Sequence, residues 1–306
     1  MRNIVLLSIL FLFASCSDVL TEDDSNANNN INIYLVKTDI GHLGAMEVDL
    51  DTMELESTPW VKSSDIEFYD WSAHAIYLNK EINKGELSAR NFVVTSSDKR
   101  LFMGVFWPMY MSSVPMIPSI MPEDDWFSPK DVIRFHSFGW QFPESLTENE
   151  EFKLELIKAG LLREGIEVEI TSLNRRSSTT LKYTFKVTNC ESEIIYVLDP
   201  NKMGASRFHY YTNGVSINQG EKYFWPHEFE TKASEKIDSR WYHKLFPGKS
   251  ISRTVEMKGY QSLPTGKVNA SFSFPGPILK KAKEWKKTDG RIWIGNQLTR
   301  SEIAIN

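Results

Sequence analysis

The sequence predicts a small α+β domain over residues 31–165, followed by an all-β sandwich over residues 166–306. Three observations predict it. Short segments of period-two alternation, punctuated by glycine, proline, asparagine and serine, begin at Ile31. A helical pattern lies just before residue 165. Beyond that residue the alternation becomes cleanest and the helical signal nearly vanishes.

In the first domain, Ile31-Ile33-Leu35, Ile66-Phe68-Asp70, His74-Ile76-Leu78, Phe92-Val94 and Leu101-Met103-Val105-Trp107 fit half-buried strands. The helix is expected from about Glu148 to Arg163. Thr147 and Glu150 are spaced as a capping box, Phe152, Leu156 and Ile157 share a face, and Gly165 can end the helix in a left-handed conformation. In the second domain, Leu181-Tyr183-Phe185-Val187 opposes Lys182-Thr184-Lys186-Thr188. Val268-Ala270-Phe272-Phe274 repeats the device against Lys267-Asn269-Ser271-Ser273. Further strands are expected at Ile194–Leu198, Phe208–Tyr211, Val215-Ile217, Tyr223–Trp225 and Ile251-Val255-Met257. Strands that bury one face each are what two packed sheets require, so a β-sandwich follows.

The N-terminus carries an address. Met1-Arg2-Asn3 precedes the apolar run Ile4–Phe13, the cationic and hydrophobic regions of a secretory signal. Ten residues of helix reach only about 15 Å, short of roughly 30 Å of bilayer hydrocarbon. The run closes on Phe13-Ala14-Ser15-Cys16, which resembles the bacterial lipobox. The resemblance implies cleavage after residue 15 and a diacylglycerol on Cys16, with further acylation of the new amine. Each buried CH₂ is worth about 0.8 kcal/mol, so two or three chains anchor stably. Residues 16–30 are acidic and then asparagine-rich, which makes them a flexible tether. Such a tether resembles lipoproteins of the Bacteroidota, which implies outer-membrane attachment, periplasmic or surface-exposed. Losing Arg2 with the signal takes the net charge from −5 to −6. An acidic chain is not a nucleic-acid binder by default. Cys190 is the one cysteine left beside Cys16, so stability rests on packing rather than a disulfide.

Over residues 165–306 the order of Tyr183–Asn189, Phe208–Gly220, Leu245–Ser250 and Gly266–Phe274, closing on Trp293-Ile294-Gly295 and Ser301-Glu302-Ile303, looks like immunoglobulin-like accessory sandwiches of secreted bacterial proteins. Proteinase-inhibitor-like domains and the N-terminal domains of some deuterolysin-type metalloproteases share that ordering. The first domain, through Tyr69-Asp70-Trp71, His74, Gly104-Val105-Phe106, Ser112-Ser113 and Pro118, resembles uncharacterised bacterial lipoproteins and carries over no mechanism.

Catalytic signatures are sparse. The six histidines show no His-Glu-x-x-His spacing. His209 beside Tyr210-Tyr211 and His227 beside Glu228 are candidates for a metal at a sandwich rim, although isolated strand histidines ordinarily pack or hydrogen-bond. No Gly-x-Ser-x-Gly or phosphate-cradling glycine loop occurs, and Cys190 lacks a cationic neighbour that would activate it. Asp124-Asp125 and Asp70 sit among aromatics as candidate glycosidase carboxylates, but solvated loop acids are the better reading. Lys280–Lys287 reads as a solvated cationic face or hairpin arm, with contact to anionic lipid or glycan head groups as the alternative.

The most unusual stretch is Trp107–Trp140, rich in methionine and aromatics that adapt to irregular partners. Core filling is the better reading of these residues, with Trp107, Met109, Tyr110, Met111, Trp126 and Phe127 as the candidate binding surface if they are exposed, and Cu(I) binding by the spaced methionines as a third alternative. The expectation is an envelope lipoprotein acting as a non-catalytic binding or accessory module, without a cofactor or metal. Its partners would be the membrane through the lipid and an envelope protein or glycan. A surface hydrolase acting on glycan or peptide, or a protease inhibitor, is the alternative.

Overall fold

A computed structural model describes residues 30–41, 48–123, 128–136, 146, 149–226 and 237–306. The fold is rich in β-structure, organised in three mixed sheets. The first sheet gathers β1 (Ile31–Leu35), β2 (Ile66–Asp70), β3 (Ala75–Leu78), β4 (Asn91–Ser96), β5 (Lys99–Phe106), β6 (Ser119–Ile120), β7 (Val132–His136) and β8 (Leu162–Arg163). They lie in the order β1-β4-β5-β6-β7-β3-β2-β8, with β5–β6 and β2–β8 parallel.

The remaining strands are β9 (Ile166–Arg175), β10 (Leu181–Asn189), β11 (Ile194–Leu198), β12 (Val215–Gln219), β13 (Lys222–Phe224), β14 (Tyr242–Leu245), β15 (Ser250–Met257), β16 (Gly266–Pro275), β17 (Lys286–Lys287), β18 (Gly290–Ile292) and β19 (Asn296–Ile305). They form a seven-stranded sheet β13-β12-β16-β19-β9-β10-β15 and a four-stranded sheet β14-β11-β18-β17. Side chains from both of these sheets meet in one large core, where Phe185 stacks on Phe208 with ring centroids 5.6 Å apart.

The expectation of an α+β domain followed by an all-β immunoglobulin-like sandwich is overturned: the chain is mostly β in three mixed sheets, and no distinct α layer forms in the first half among the described residues. Among the described residues of the first half, helix is confined to a few short turns and α1 (Glu150–Lys158), which is too short to form a layer. Asn149 caps α1 by accepting from the Phe152 amide, and Gly160, at φ +68, follows its end. Leu162 and Arg163, read as its last turn, instead extend alongside β2. Phe152 and Leu156 are buried, whereas Ile157 faces solvent.

In the second half, Phe208–Tyr211 is not a strand. It belongs to α3 (Ala205–Thr212), which follows α2 (Pro200–Met203). Asp199 caps α2 with proline at the first helical position, and Phe208 and Thr212, one turn apart, are buried together.

The strand alternation read in β10 and β16 is realised, with Leu181, Tyr183, Phe185 and Val187 buried. β3 and β4 depart from it, because both of their faces are covered. Ile76 and Leu78 of β3 enter the core of the first half, while Ala75 and Tyr77 enter the larger core. Phe68, Val132 and their neighbours Tyr69 and Ile133 divide the same way. The β2-β3-β7 region is therefore a wall shared by two cores, and burial on both faces erases the polar half of the pattern. Among the described residues no helix is long and apolar enough to cross a membrane.

Candidate functional site at the junction of the two halves

The shared wall positions a site that local sequence pattern does not reveal. β2 ends at Asp70, whose Oδ1 accepts from Ser72 Oγ at 2.8 Å and from the Ala73 amide at 3.0 Å, forming an Asx-type turn into β3. Its Oδ2 accepts from Arg291 Nη2 at 2.7 Å. Arg291 lies in β18, in the run Gly290-Arg291-Ile292-Trp293, and its side chain is buried. The same nitrogen donates to Glu191 Oε1 at 2.5 Å, while Nε donates to Oε2 at 3.3 Å. The guanidinium lies 5.2 Å from the Phe68 ring and 5.5 Å from the Tyr77 ring. The Asp70 and Glu191 carboxylates together hold the Arg291 guanidinium more firmly protonated than usual, against the opposing effect of burial.

Ser72 extends the network. Its Oγ accepts from Trp293 Nε1 at 2.8 Å and from the Ile166 amide at 3.0 Å, so one hydroxyl ties the β2–β3 turn to the start of β9 and the end of β18. Glu191 Oε1 also accepts from the Gly165 amide at 3.0 Å. Above the network lies a cleft of about 600 Å³. One wall is built from Glu67, Phe68 and Arg163, the other from the turns Ser192-Glu193, Phe246-Pro247 and Thr288-Asp289 with Lys286 and Lys287.

The acids on these walls are engaged. Glu67 meets Lys286 at 2.6 Å, Glu193 lies 3.7 Å from Arg163, and Asp289 pairs with Lys244 and accepts from Tyr196 Oη at 2.8 Å. Lys283 and Lys286 thus reach across to the first half, and Trp285 Nε1 donates to buried Asp131 at 2.9 Å. The segment read as a solvated cationic face or hairpin arm does run into the β17–β18 hairpin, and Lys283, Trp285 and Lys286 make it also a clamp between the halves. Asp70, read as a solvated loop acid, has no solvent exposure at all.

The sequence-predicted surface is only partly present. Met109, Tyr110 and Met111 are exposed, Tyr110 at 76%, but Trp107 is buried and its Nε1 donates to the Ser113 carbonyl. Trp126, Phe127, Asp124, Asp125, His227, Glu228 and Cys16 lie outside the described residues. His209 is buried in α3, and among the described residues no group of three or more metal-ligating side chains occurs. Cys190 is exposed, and partial burial with the nearby Glu167 and Glu164 carboxylates pushes its thiol up. The signal that could have found the junction is Arg291 itself. A lone cation in an otherwise apolar strand requires a buried acid, and the acid at the end of β2 is a natural partner.

No family model matches this chain, and no curated protein matches it. Among solved structures it is similar to a β-glucosidase from Kluyveromyces marxianus, determined with selenomethionine and in complex with glucose. Each match has 9% identity and a TM-score of 0.19, covering 45% of this chain and 14% of the enzyme. A likeness that small carries no argument about fold or activity.

Two buried histidines make the fold sensitive to acid. Burial lowers the His74 imidazole to about 4 despite nearby Asp70, and lowers His209 to about 4 as well. An unfolded histidine titrates near pH 6.5, so between about pH 6.5 and 4 the unfolded chain binds more protons. This stabilisation is full above pH 6.5 and is lost as pH falls toward 4. The urea midpoint should drop across that window. His209→Phe, which removes one titration and a buried Nε2 that has no hydrogen-bond partner, should flatten the fall. An unchanged slope in that variant would count against the assignment.

Proposed function

We propose that this protein is a non-catalytic binding module of the cell envelope, carried on the outer membrane by lipid on Cys16, which takes a polar ligand in the junction cleft. The observation that carries this reading is the cleft's construction. Both halves supply its walls, and the Asp70–Arg291–Glu191 network braces its floor before any ligand arrives. A pre-formed concave site with convergent polar groups is the usual form of a ligand pocket. The pairing of Glu67, Glu193 and Asp289 with cations favours binding over hydrolysis, since glycoside hydrolysis needs one carboxyl protonated and its partner free to act as base or nucleophile.

The address and the site are tested separately. Cys16→Ser should abolish lipid labelling and move the protein from the detergent phase to the aqueous phase; persistence of both would refute the anchor. For the site, the purified protein is screened against arrays of oligosaccharides and peptides. Ser192→Trp, which places bulk in an exposed turn of the cleft, should remove the captured ligands, whereas Tyr110→Ala should not. The reverse outcome would move the site to the methionine-rich loop. Conversion of captured ligand to product would replace the binding reading with a hydrolase.

A further inference from the structure

Charge is segregated along the chain. Residues 31–165 carry 22 acids against 12 lysines and arginines, whereas residues 166–306 carry 14 acids against 22. The first half is therefore net −10 and the second net +8, a division that the overall −5 conceals. At physiological salt the screening length is about 8 Å, so a partner meets the charge of one face rather than that of the whole chain. We infer that the second half presents a cationic face, centred on Tyr242, that lies against an anionic lipid surface; the lipid as partner rests on the anchor proposed at Cys16.

Tyr242, in β14, is the hub of that face. Lys202 Nζ donates to its carbonyl at 2.6 Å, and the Lys287 ammonium lies 5.9 Å from its ring. Adjacent residues on a strand point opposite ways, so Lys286 reaches Glu67 of the first half while Lys287 turns to Tyr242. The Glu284 carboxylate accepts from the Lys280 and Lys281 amides at 3.2 and 3.1 Å. Burial and then that same carboxylate raise the Tyr242 hydroxyl above its usual range, which places the Lys280–Glu284 turn beside the hub. The Arg207 guanidinium lies over the ring of neighbouring Trp241, 4.7 Å from its centroid.

The acids around this face do not cancel it. Asp238 is held by Arg240, Asp289 by Lys244, and Glu67 by Lys283 and Lys286. Among the described residues Lys202, Arg207, Lys280, Lys281 and Lys287 form no ion pair, and Glu284 is the acid left to set against them. With Lys287 assigned wholly to the acids beneath the cleft, the other four cations still exceed Glu284 by three charges. The lysines are exposed, and their stems carry the charge clear of the backbone. Mobile point charges suit a fluid array of headgroups better than the fixed geometry of a single ligand. Tyr210, 44% exposed and three residues beyond Arg207 on α3, adds a ring with a polar tip, the kind of side chain that sits at headgroup level. The 14 residue steps from Cys16 to Asn30 span up to about 50 Å when extended, enough for either half to turn toward the bilayer. An anionic leaflet repels the acidic half and so selects the basic one.

Vesicle sedimentation tests the inference on the mature chain, residues 16–306, carrying Cys16→Ser so that no acyl chain contributes. It should bind phosphatidylcholine vesicles containing about 30% phosphatidylglycerol, release at high salt, and ignore pure phosphatidylcholine. The quadruple variant Lys202→Gln, Lys280→Gln, Lys281→Gln, Lys287→Gln should bind about a hundredfold more weakly, each lysine near an anionic surface being worth about fivefold. Arginine at the same four positions should preserve binding, which separates lost charge from lost fold. The matched variant Lys37→Gln, Lys62→Gln, Lys80→Gln, Lys99→Gln makes the same change in net charge on exposed positions of the first half and should bind within about twofold of the parent. Equal binding to neutral vesicles, no binding to either, indifference to the first quadruple variant, or an equal loss in the matched one overturns the inference. So does a DNA duplex that strips the protein from vesicles at a lower phosphate concentration than anionic lipid does, which would mark a nucleic-acid face. The anchor is read separately. Absence of lipid label on the native chain refutes Cys16 and leaves the vesicle result standing, whereas labelling without vesicle binding refutes the face alone.

Discussion

Arg291→Met is expected to lower folding stability by about 3–5 kcal/mol, the range for removing one partner of a buried ion pair. The guanidinium faces two carboxylates, Asp70 and Glu191, and all three side chains are nearly or fully excluded from solvent. Methionine fills much of the volume but leaves both acids in a medium that hydrates them poorly, and the stacked Phe68 and Tyr77 rings lose the cation beside them. The arginine itself need not be a net stabiliser relative to an apolar cluster, and a compensating variant tests this. Adding Asp70→Asn and Glu191→Gln to Arg291→Met should recover part of the loss, because the uncompensated charges disappear. Urea unfolding monitored by tryptophan fluorescence measures both. A loss below about 1 kcal/mol for Arg291→Met would mean that water reaches the network and the junction is looser than described.

Gly165→Ala is expected to cost about 3 kcal/mol or more, and Gly160→Ala only about 1–2 kcal/mol. Both glycines sit at positive φ, +78 and +68, so each alanine meets the left-handed penalty. They differ in surroundings. A Cβ on Gly160 meets nothing within 4 Å, whereas one on Gly165 would lie 2.0 Å from Ser72 Oγ and 2.5 Å from Asp70 Oδ1. Gly165 is thus not the residue that stops the helix. It lets the chain entering β9 pass against the β2–β3 turn, close enough for its amide to reach Glu191. Equal losses in the two variants, read from urea midpoints, would remove that role.

What could be read in the sequence divides along physical lines. β10 and β16 were legible because each buries one face, so their alternation survives in the residues themselves. β3 was recognisable as a strand but not as part of a wall between cores, since burial on both faces depends on partners far away in sequence. The Phe208–Tyr211 segment was misread because aromatic runs favour strands in isolation. The capping signal Asp199-Pro200 just upstream was the better guide. The candidate stretch from Trp107 to Trp140 followed composition, which cannot separate Trp107, turned inward, from Tyr110, turned out. The cleft was invisible because its walls come from segments that meet only when both halves have folded. Lys286 and Glu67, paired across it, are 219 residues apart.

The Arg291–Asp70 pair spans 221 residues of chain. In a chain synthesised from its N-terminus, Asp70 waits for its cation until nearly all of the sequence has been made. Until then the wall it sits in holds an unmatched charge, and the larger core lacks β18 and β19. Non-local closure of this kind slows folding and prolongs exposure of unfinished strand edges. Nascent chains that stop short of residue 291 should therefore be the protease-sensitive species, and resistance should arrive abruptly with the last few strands rather than accumulate with length.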